Sequence, residues 1–172
     1  FKAPEGVSLL SAKASLGPRG VVREAMFRAT GRQVTYRGVR TDNATATVQY
    51  KQGGDWALDP MKIKLGNHQI RGSYVRKSSR DYRFLVQGRV KPEEINPWMG
   101  DWWIQLWRDF KISSSPPAGD FEVAGRWGDP NNEKRKVFGS IQFGSLSYRN
   151  LLVESGRVII LADQNHTMAN DL

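Results

Sequence analysis

The chain has 172 residues, of which 39% are apolar and 25% are charged. This composition suits one folded domain and excludes disorder as the main state. The chain has no cysteine, which excludes disulfides, thiolate metal sites and cysteine nucleophiles. The formal net charge is +9; it is compatible with an anionic partner such as nucleic acid or lipid headgroups and does not choose between them. The sequence contains no run of about 18 apolar residues, so it predicts no membrane-spanning helix.

Apolar and polar residues alternate in segments 44–50, 61–65 and 82–90. A period of two puts the apolar residues on one face of a sheet and the polar residues on the other, which is typical of half-buried antiparallel strands. Turn-forming residues separate these segments, at positions 42–43, 53–54, 66–67, 77–79 and 129–132.

A five-residue motif, apolar-x-Gly-x-apolar, recurs at positions 70–74, 86–90, 123–127 and 137–141. Glycine weakens a strand, so its repeated position among the apolar residues indicates a bend, a bulge or a close approach of neighbouring strands. Coincidence is the alternative, because the chain has 17 glycines.

A longer echo relates residues 34–39 to residues 146–151, and each copy precedes a predicted strand. Repetition of strand units favours an architecture that grows by adding strands, such as a solenoid or a long curled sheet. We therefore predict a mainly β fold, with residues 31–95 and 120–162 forming mostly antiparallel strands of one curved sheet.

A tryptophan-rich segment interrupts the strands and predicts one amphipathic helix over residues 96–111. Asn96 suits the N-cap and Pro97 the first helical position. One stripe at helical spacing contains Met99, Trp102, Trp103, Leu106, Trp107 and Phe110. The helix either contacts a membrane or ligand through its indoles or packs on the sheet as core. The packing alternative predicts that Trp103 and Trp107 are largely buried.

Residues suited to catalysis are sparse. His68 and His166 are the two histidines, and neither has metal-ligand spacing or lies near a nucleophile motif. Glu93 and Glu94 precede the predicted helix, where acidic residues commonly cap a turn. We therefore predict a protein that is not an enzyme, with no catalytic residue, metal or cofactor. An enzyme with dispersed carboxylates remains an alternative.

The basic residues alternate with apolar positions in the predicted strands, which is typical of a solvated sheet face. A protein that binds single-stranded nucleic acid would add aromatic side chains to that basic face. Tyr74, Tyr82 and Phe84 instead fall in register with the apolar positions. We therefore expect no nucleic-acid partner.

Several segments together resemble the AsmA-like family of Gram-negative envelope proteins, over roughly residues 31–160. The resemblance rests on residues 36–39, 66–74, 82–90, 92–98, 121–127 and 138–140. It implies an elongated, curled β-sheet, an open solenoid-like groove with an apolar concave face that shelters acyl chains and carries phospholipid between the two membranes. It also implies a periplasmic location. Residues 1–20 show no family pattern.

These observations predict a non-catalytic envelope module that shelters or transfers phospholipid or another acyl-chain lipid. The candidate lipid-binding residues are Ile63, Ile70, Tyr74, Phe84, Val86, Val123, Trp103 and Trp107. We expect residues 1–172 to be one module of a longer repetitive protein, anchored in the inner membrane by a segment outside this chain. The alternative is a structural or interaction module with a closed core and no ligand. An open apolar groove favours the first prediction and a closed core the second.

Overall fold

The computed structural model describes residues 6–98, 101–112, 115–131, 133–163 and 167–171. Strands account for 64% of them, and ten strands form one large curved antiparallel sheet. The predicted mainly β fold is therefore confirmed. In their order across the sheet, the strands are β1 (Val7–Leu16), β2 (Val22–Arg32), β5 (Asn43–Lys51), β6 (Asp55–Leu65), β7 (His68–Arg76), β8 (Asp81–Arg89), β10 (Ala118–Arg126), β11 (Lys136–Phe143), β14 (Gly156–Ala162) and β15 (Thr167–Asp171).

The three segments with strict alternation form β5, β6 and β8, as predicted. Strands β1 and β2 extend the sheet into the amino-terminal region, for which the sequence pattern predicted no strand. In β6 the pairing register shifts between Leu58 and Met61. Pro60 lies in this interval and cannot donate a ladder hydrogen bond, which explains why the regular pairing is interrupted there.

Three longer connections leave the large sheet at the same end of its strands. Arg32, Arg89 and Gln142, near the ends of β2, β8 and β11, lie in one row of directly paired residues across the sheet. The connections contain short elements: β3 (Thr35–Tyr36), β4 (Val39–Arg40), a 3-10 helix (Pro92–Trp98), α1 (Asp101–Trp107), β9 (Phe110–Ile112), β12 (Leu146–Tyr148) and β13 (Leu151–Val153). A further 3-10 turn, Pro18–Gly20, joins β1 to β2.

The sequence echo corresponds to a structural repeat. Its first copy forms the β3–β4 hairpin and its second copy forms the β12–β13 hairpin. The two turn residues have positive φ in both hairpins: 45° and 80° at Arg37 and Gly38, and 46° and 71° at Arg149 and Asn150. Two consecutive positive φ angles are typical of a type I′ turn, which suits the twist of a two-residue hairpin.

The helical segment is shorter than predicted. Instead of one helix over 96–111, a 3-10 helix ends at Trp98, α1 covers Asp101–Trp107, and β9 begins at Phe110. Phe110 pairs with Tyr148 of β12, so strand pairing replaces the last predicted helical turn. Met99 lies outside the described residues, as do the side chains of Trp102 and Leu106.

One end of the sheet is closed by β3, β4 and the 3-10 helix Pro92–Trp98, which together are called the cap below. Val39 of the cap is buried against Leu65 and Ile70 of the sheet, with 4%, 6% and 7% exposure. The cap is held together by Trp98, whose Nε1 donates a hydrogen bond to the Tyr36 carbonyl at 2.8 Å. Among the described residues, no helix has the length and hydropathy needed to cross a membrane.

Candidate functional site

The pairing register places six of the candidate lipid-binding residues on one face of the large sheet, called the apolar face below. These six residues are Ile63, Ile70, Tyr74, Phe84, Val86 and Val123. Ile63 lies opposite Ile70, and Tyr74, Phe84 and Val123 follow one another across β7, β8 and β10. Val86 lies between these two rows, opposite Gly72.

The same register extends the apolar face far beyond the predicted residues. It adds Phe27, Val48, Leu58, Met61, Phe121, Val137, Ile141, Val158 and Ile160. Phe121 could have been found from its alternation with Val123. The residues of β14 could not have been assigned to this face from the sequence, because positions 158–161 are all apolar and do not alternate with polar residues.

Most of the apolar face is uncovered. Ile70 is buried, but it belongs to the capped end. Val86 is half-buried and packs against the same capped cluster. Met61 and Val123 in the middle of the face are also only half-buried. Leu9, near the β1 edge, is 63% exposed. The buried cluster on this face contains residues of the cap and of the strands beneath it, and no residue of α1 or of the β9–β12–β13 sheet. A sheet normally buries its apolar face against a second layer, whereas this face is not fully covered outside the capped end.

Glycines of the recurrent motif explain how neighbouring strands approach one another on this face. A Cβ at Gly72 would lie 2.5 Å from the carbonyl oxygen of Leu85, and one at Gly139 would lie 2.7 Å from that of Asp120. At Gly88 it would collide with the carbonyl oxygen of Gln69. A Cβ at any of these positions would project from the apolar face. These short distances therefore mean that the backbone of the neighbouring strand bends toward that face. The apolar face is therefore concave at these strands.

Aromatic side chains line the end of the apolar face opposite the cap. This aromatic belt consists of Trp56, Tyr74, Tyr82, Phe84 and Trp127. Ring centroids lie 5.0 Å apart for Trp56 and Tyr74, and 4.8 Å apart for Tyr82 and Trp127. The Trp127 Nε1 donates a hydrogen bond to the Tyr74 hydroxyl at 2.7 Å. The belt combines apolar rings with polar atoms, as aromatic residues do at a boundary between apolar and aqueous surroundings.

The opposite face of the sheet is mainly polar and charged. Arg126 donates to Asp81 with Nε 2.7 Å from Oδ1, and this hydrogen bond holds the pKa of Asp81 down at about 2. Arg83 and Glu122 form a second exposed cross-strand ion pair, with Nη2 2.7 Å from Oε2. The exceptions include three exposed apolar side chains on this face, Leu85, Phe138 and Leu161, which are 37%, 55% and 42% exposed. The sheet is thus amphipathic, with charged pairs on one face and a mostly apolar surface on the other.

The two candidate tryptophans lie apart from the other six candidate residues. Trp103 and Trp107 are half-buried, with ring centroids 5.5 Å apart. Trp107 contacts Phe110, which contacts Tyr148 in turn. The Trp103 Nε1 donates to the Pro92 carbonyl at 3.1 Å. These contacts join α1 to the cap and to the small β9–β12–β13 sheet, which favours the packing interpretation of the helix.

The two histidines give no catalytic or metal-binding arrangement that the structure describes. His68 Nδ1 lies 3.0 Å from Glu94 Oε2, so this pair links β7 to the cap. His166 lies outside the described residues. Within the described ranges, no group of three or more histidine or acidic side chains could hold a metal ion.

Comparisons of the chain with protein-family models, with curated proteins and with solved structures find no match. The resemblance to the AsmA-like family therefore remains a hypothesis based on the sequence segments that carry it.

Proposed function

We propose that this chain shelters or transfers acyl-chain lipid on its apolar face, without covalent chemistry. The observation that carries the proposal is the open apolar face itself, concave where its glycines lie and closed at one end by the cap. A large exposed apolar surface is typical of a site that binds another apolar surface or ligand.

The dimensions of the face suit acyl chains. Ten strands about 4.8 Å apart span about 43 Å. One acyl chain extends about 15 Å, half of a hydrocarbon core about 30 Å thick. The face is therefore long enough for more than one chain in line. Transfer of each methylene from water to this surface contributes about 0.8 kcal/mol.

The half-buried state of the lining side chains also supports a ligand surface. A closed core would bury Met61, Val86 and Val123 almost completely, whereas each keeps part of its surface accessible. Apolar contact has no directional requirement, so we expect the apolar face to discriminate little between acyl chains of different length or saturation. The AsmA-like resemblance adds the envelope setting, with a periplasmic location and an inner-membrane anchor outside this chain, to the same proposal.

The test is crosslinking of a photoactivatable phospholipid to the folded chain, with the labelled peptides identified by mass spectrometry. We expect label on β6, β7, β8 and β10. Val86→Asp should abolish it, because a carboxylate on the apolar face opposes hydrocarbon binding. Leu85→Asp is the matched control, because Leu85 is the next residue, lies on the opposite face and is 37% exposed.

Circular dichroism of both variants shows whether each keeps the sheet, so that loss of label is not confused with unfolding. Label confined to α1, or no more label than on an unrelated β protein, would contradict the proposal.

The second candidate is an interaction module without a ligand, which pairs with a second copy of this chain through its exposed β1 edge. It is favoured by the β1 edge, where Leu9, Leu10 and Leu16 are 63%, 54% and 63% exposed. An apolar edge strand of ten residues can pair with a further strand. Native mass spectrometry separates the candidates, because lipid binding adds the mass of a lipid to the monomer whereas self-pairing doubles the protein mass.

A further inference from the structure

Arg76 occupies an exceptional position at the end of β7. It lies directly opposite Trp56 of β6 and Tyr82 of β8, two members of the aromatic belt. Strand alternation places three basic residues on the apolar face, namely Arg23, His68 and Arg76. Arg23 is exposed and His68 contacts Glu94 at the capped end, whereas Arg76 is the one of the three that lies between two members of the aromatic belt.

Arg76 is half-buried, and one nitrogen of its guanidinium, Nε, is buried without a hydrogen-bond partner in the part of the chain that the structure describes. The ion pairs found among those residues do not include Arg76 either. A buried donor on a charged group is costly when it is left unpaired. An anionic ligand would remove this cost.

The groups around Arg76 mark the boundary between the apolar face and water. Tyr74, two residues earlier on the same face, accepts a hydrogen bond from Trp127 Nε1 at its hydroxyl oxygen. Towards the cap the face continues with aliphatic side chains such as Val86, Met61 and Ile63. A lipid lying along this face would have its chains on the aliphatic part and its headgroup beside the belt, as aromatic belts lie at the headgroup level of membranes.

We propose that Arg76 binds the phosphate of a phospholipid whose acyl chains lie on the apolar face. The inference rests on the proposed function and adds the headgroup class and its binding residue. Arginine suits this task, because its planar fork donates two parallel hydrogen bonds to phosphate oxygens. The Nε–H that has no described partner is one of the donors available to that fork. The site therefore selects phospholipid over neutral lipids with the same chains.

The experiment measures binding of the whole chain to two pyrene-labelled lipids with identical acyl chains, phosphatidylglycerol and diacylglycerol. We expect Arg76→Gln to weaken phosphatidylglycerol binding by about 10- to 100-fold, the loss typical of one charge-assisted hydrogen-bonded pair. Diacylglycerol affinity should stay within about twofold, because that lipid has no phosphate. Arg76→Lys should recover part of the loss, because it keeps the charge without the fork.

The matched control is Arg71→Gln, which removes the same charge from an exposed position of the same strand on the opposite face. It should leave both affinities unchanged. If Arg76→Gln lowers the affinity for both lipids equally, Arg76 only supports the fold. If Arg71→Gln lowers the phosphatidylglycerol affinity as much as Arg76→Gln does, the effect comes from net charge. Either result overturns the headgroup site.

Unchanged phosphatidylglycerol binding in Arg76→Gln would also overturn the headgroup site, while leaving the proposed function intact. If the unaltered chain binds neither lipid, both proposals fail together. The two proposals are therefore tested separately by one set of titrations.

Discussion

Substitution of Gly88 by alanine tests whether strands β7 and β8 lean together over the apolar face. The added Cβ would collide with the Gln69 carbonyl oxygen and lie 2.8 Å from Ile70 Cα. Both are backbone atoms of a paired strand, so neither can move without disturbing the ladder. Without a clash, alanine should stabilise a strand by roughly 0.5–1 kcal/mol relative to glycine. Overpacking costs about 1–3 kcal/mol, so we expect a net destabilisation of about 1–2 kcal/mol.

The assay is equilibrium unfolding in urea, followed by circular dichroism. With a slope of about 1–3 kcal/mol per molar urea, the midpoint of Gly88→Ala should fall by roughly 0.3–2 M. Gly17→Ala is the control, because its Cβ would meet the side chain of Arg23, which can move aside. A midpoint for Gly88→Ala equal to or above that of the unaltered chain would refute the close approach and with it the concavity of the apolar face.

Three further predictions concern the charged face and α1. The pKa of Asp81 in the folded chain is about 2, below its ordinary 3.8, so its pairing with Arg126 stabilises the fold at neutral pH. This stabilisation is lost as the pH falls from about 4 to about 2. Arg126→Gln should raise the pKa of Asp81 measured by NMR titration, and an unchanged pKa would contradict this. Lys62 lies directly opposite Arg71, so Lys62→Glu should stabilise the fold by about 0.2–1 kcal/mol in urea unfolding, whereas Lys62→Gln should gain less. Trp103→Phe removes an indole hydrogen bond to a carbonyl of the cap. The free energy of unfolding should fall by about 1 kcal/mol beyond the effect of the lost packing. A midpoint of thermal unfolding equal to that of the unaltered chain would argue against that hydrogen bond.

The sequence alone determined the strands from β5 to β14 of the large sheet and the division of these strands into two faces, but not β1, β2 or β15. Alternation is a local property, and it suffices to place Ile63, Phe84 and Val86 on the same side of their strands. The recurrent glycines indicated a bend, a bulge or a close strand approach, and the echo indicated a repeat, which the two hairpins show. Alternation and the glycine motif depend on near neighbours in the chain, and the echo is a comparison of two sequence segments, so none required knowledge of the fold.

The tertiary structure decided the features that depend on distant segments. Phe110 continues the helical stripe in sequence, but pairing with Tyr148 makes it a strand residue. Arg76 was not singled out by the sequence pattern, and only the pairing register places it between Trp56 and Tyr82 of the neighbouring strands. Whether an apolar face is core or an open surface depends on whether a second layer covers it. Local periodicity is the same in both cases, so only the arrangement of the whole chain distinguishes them.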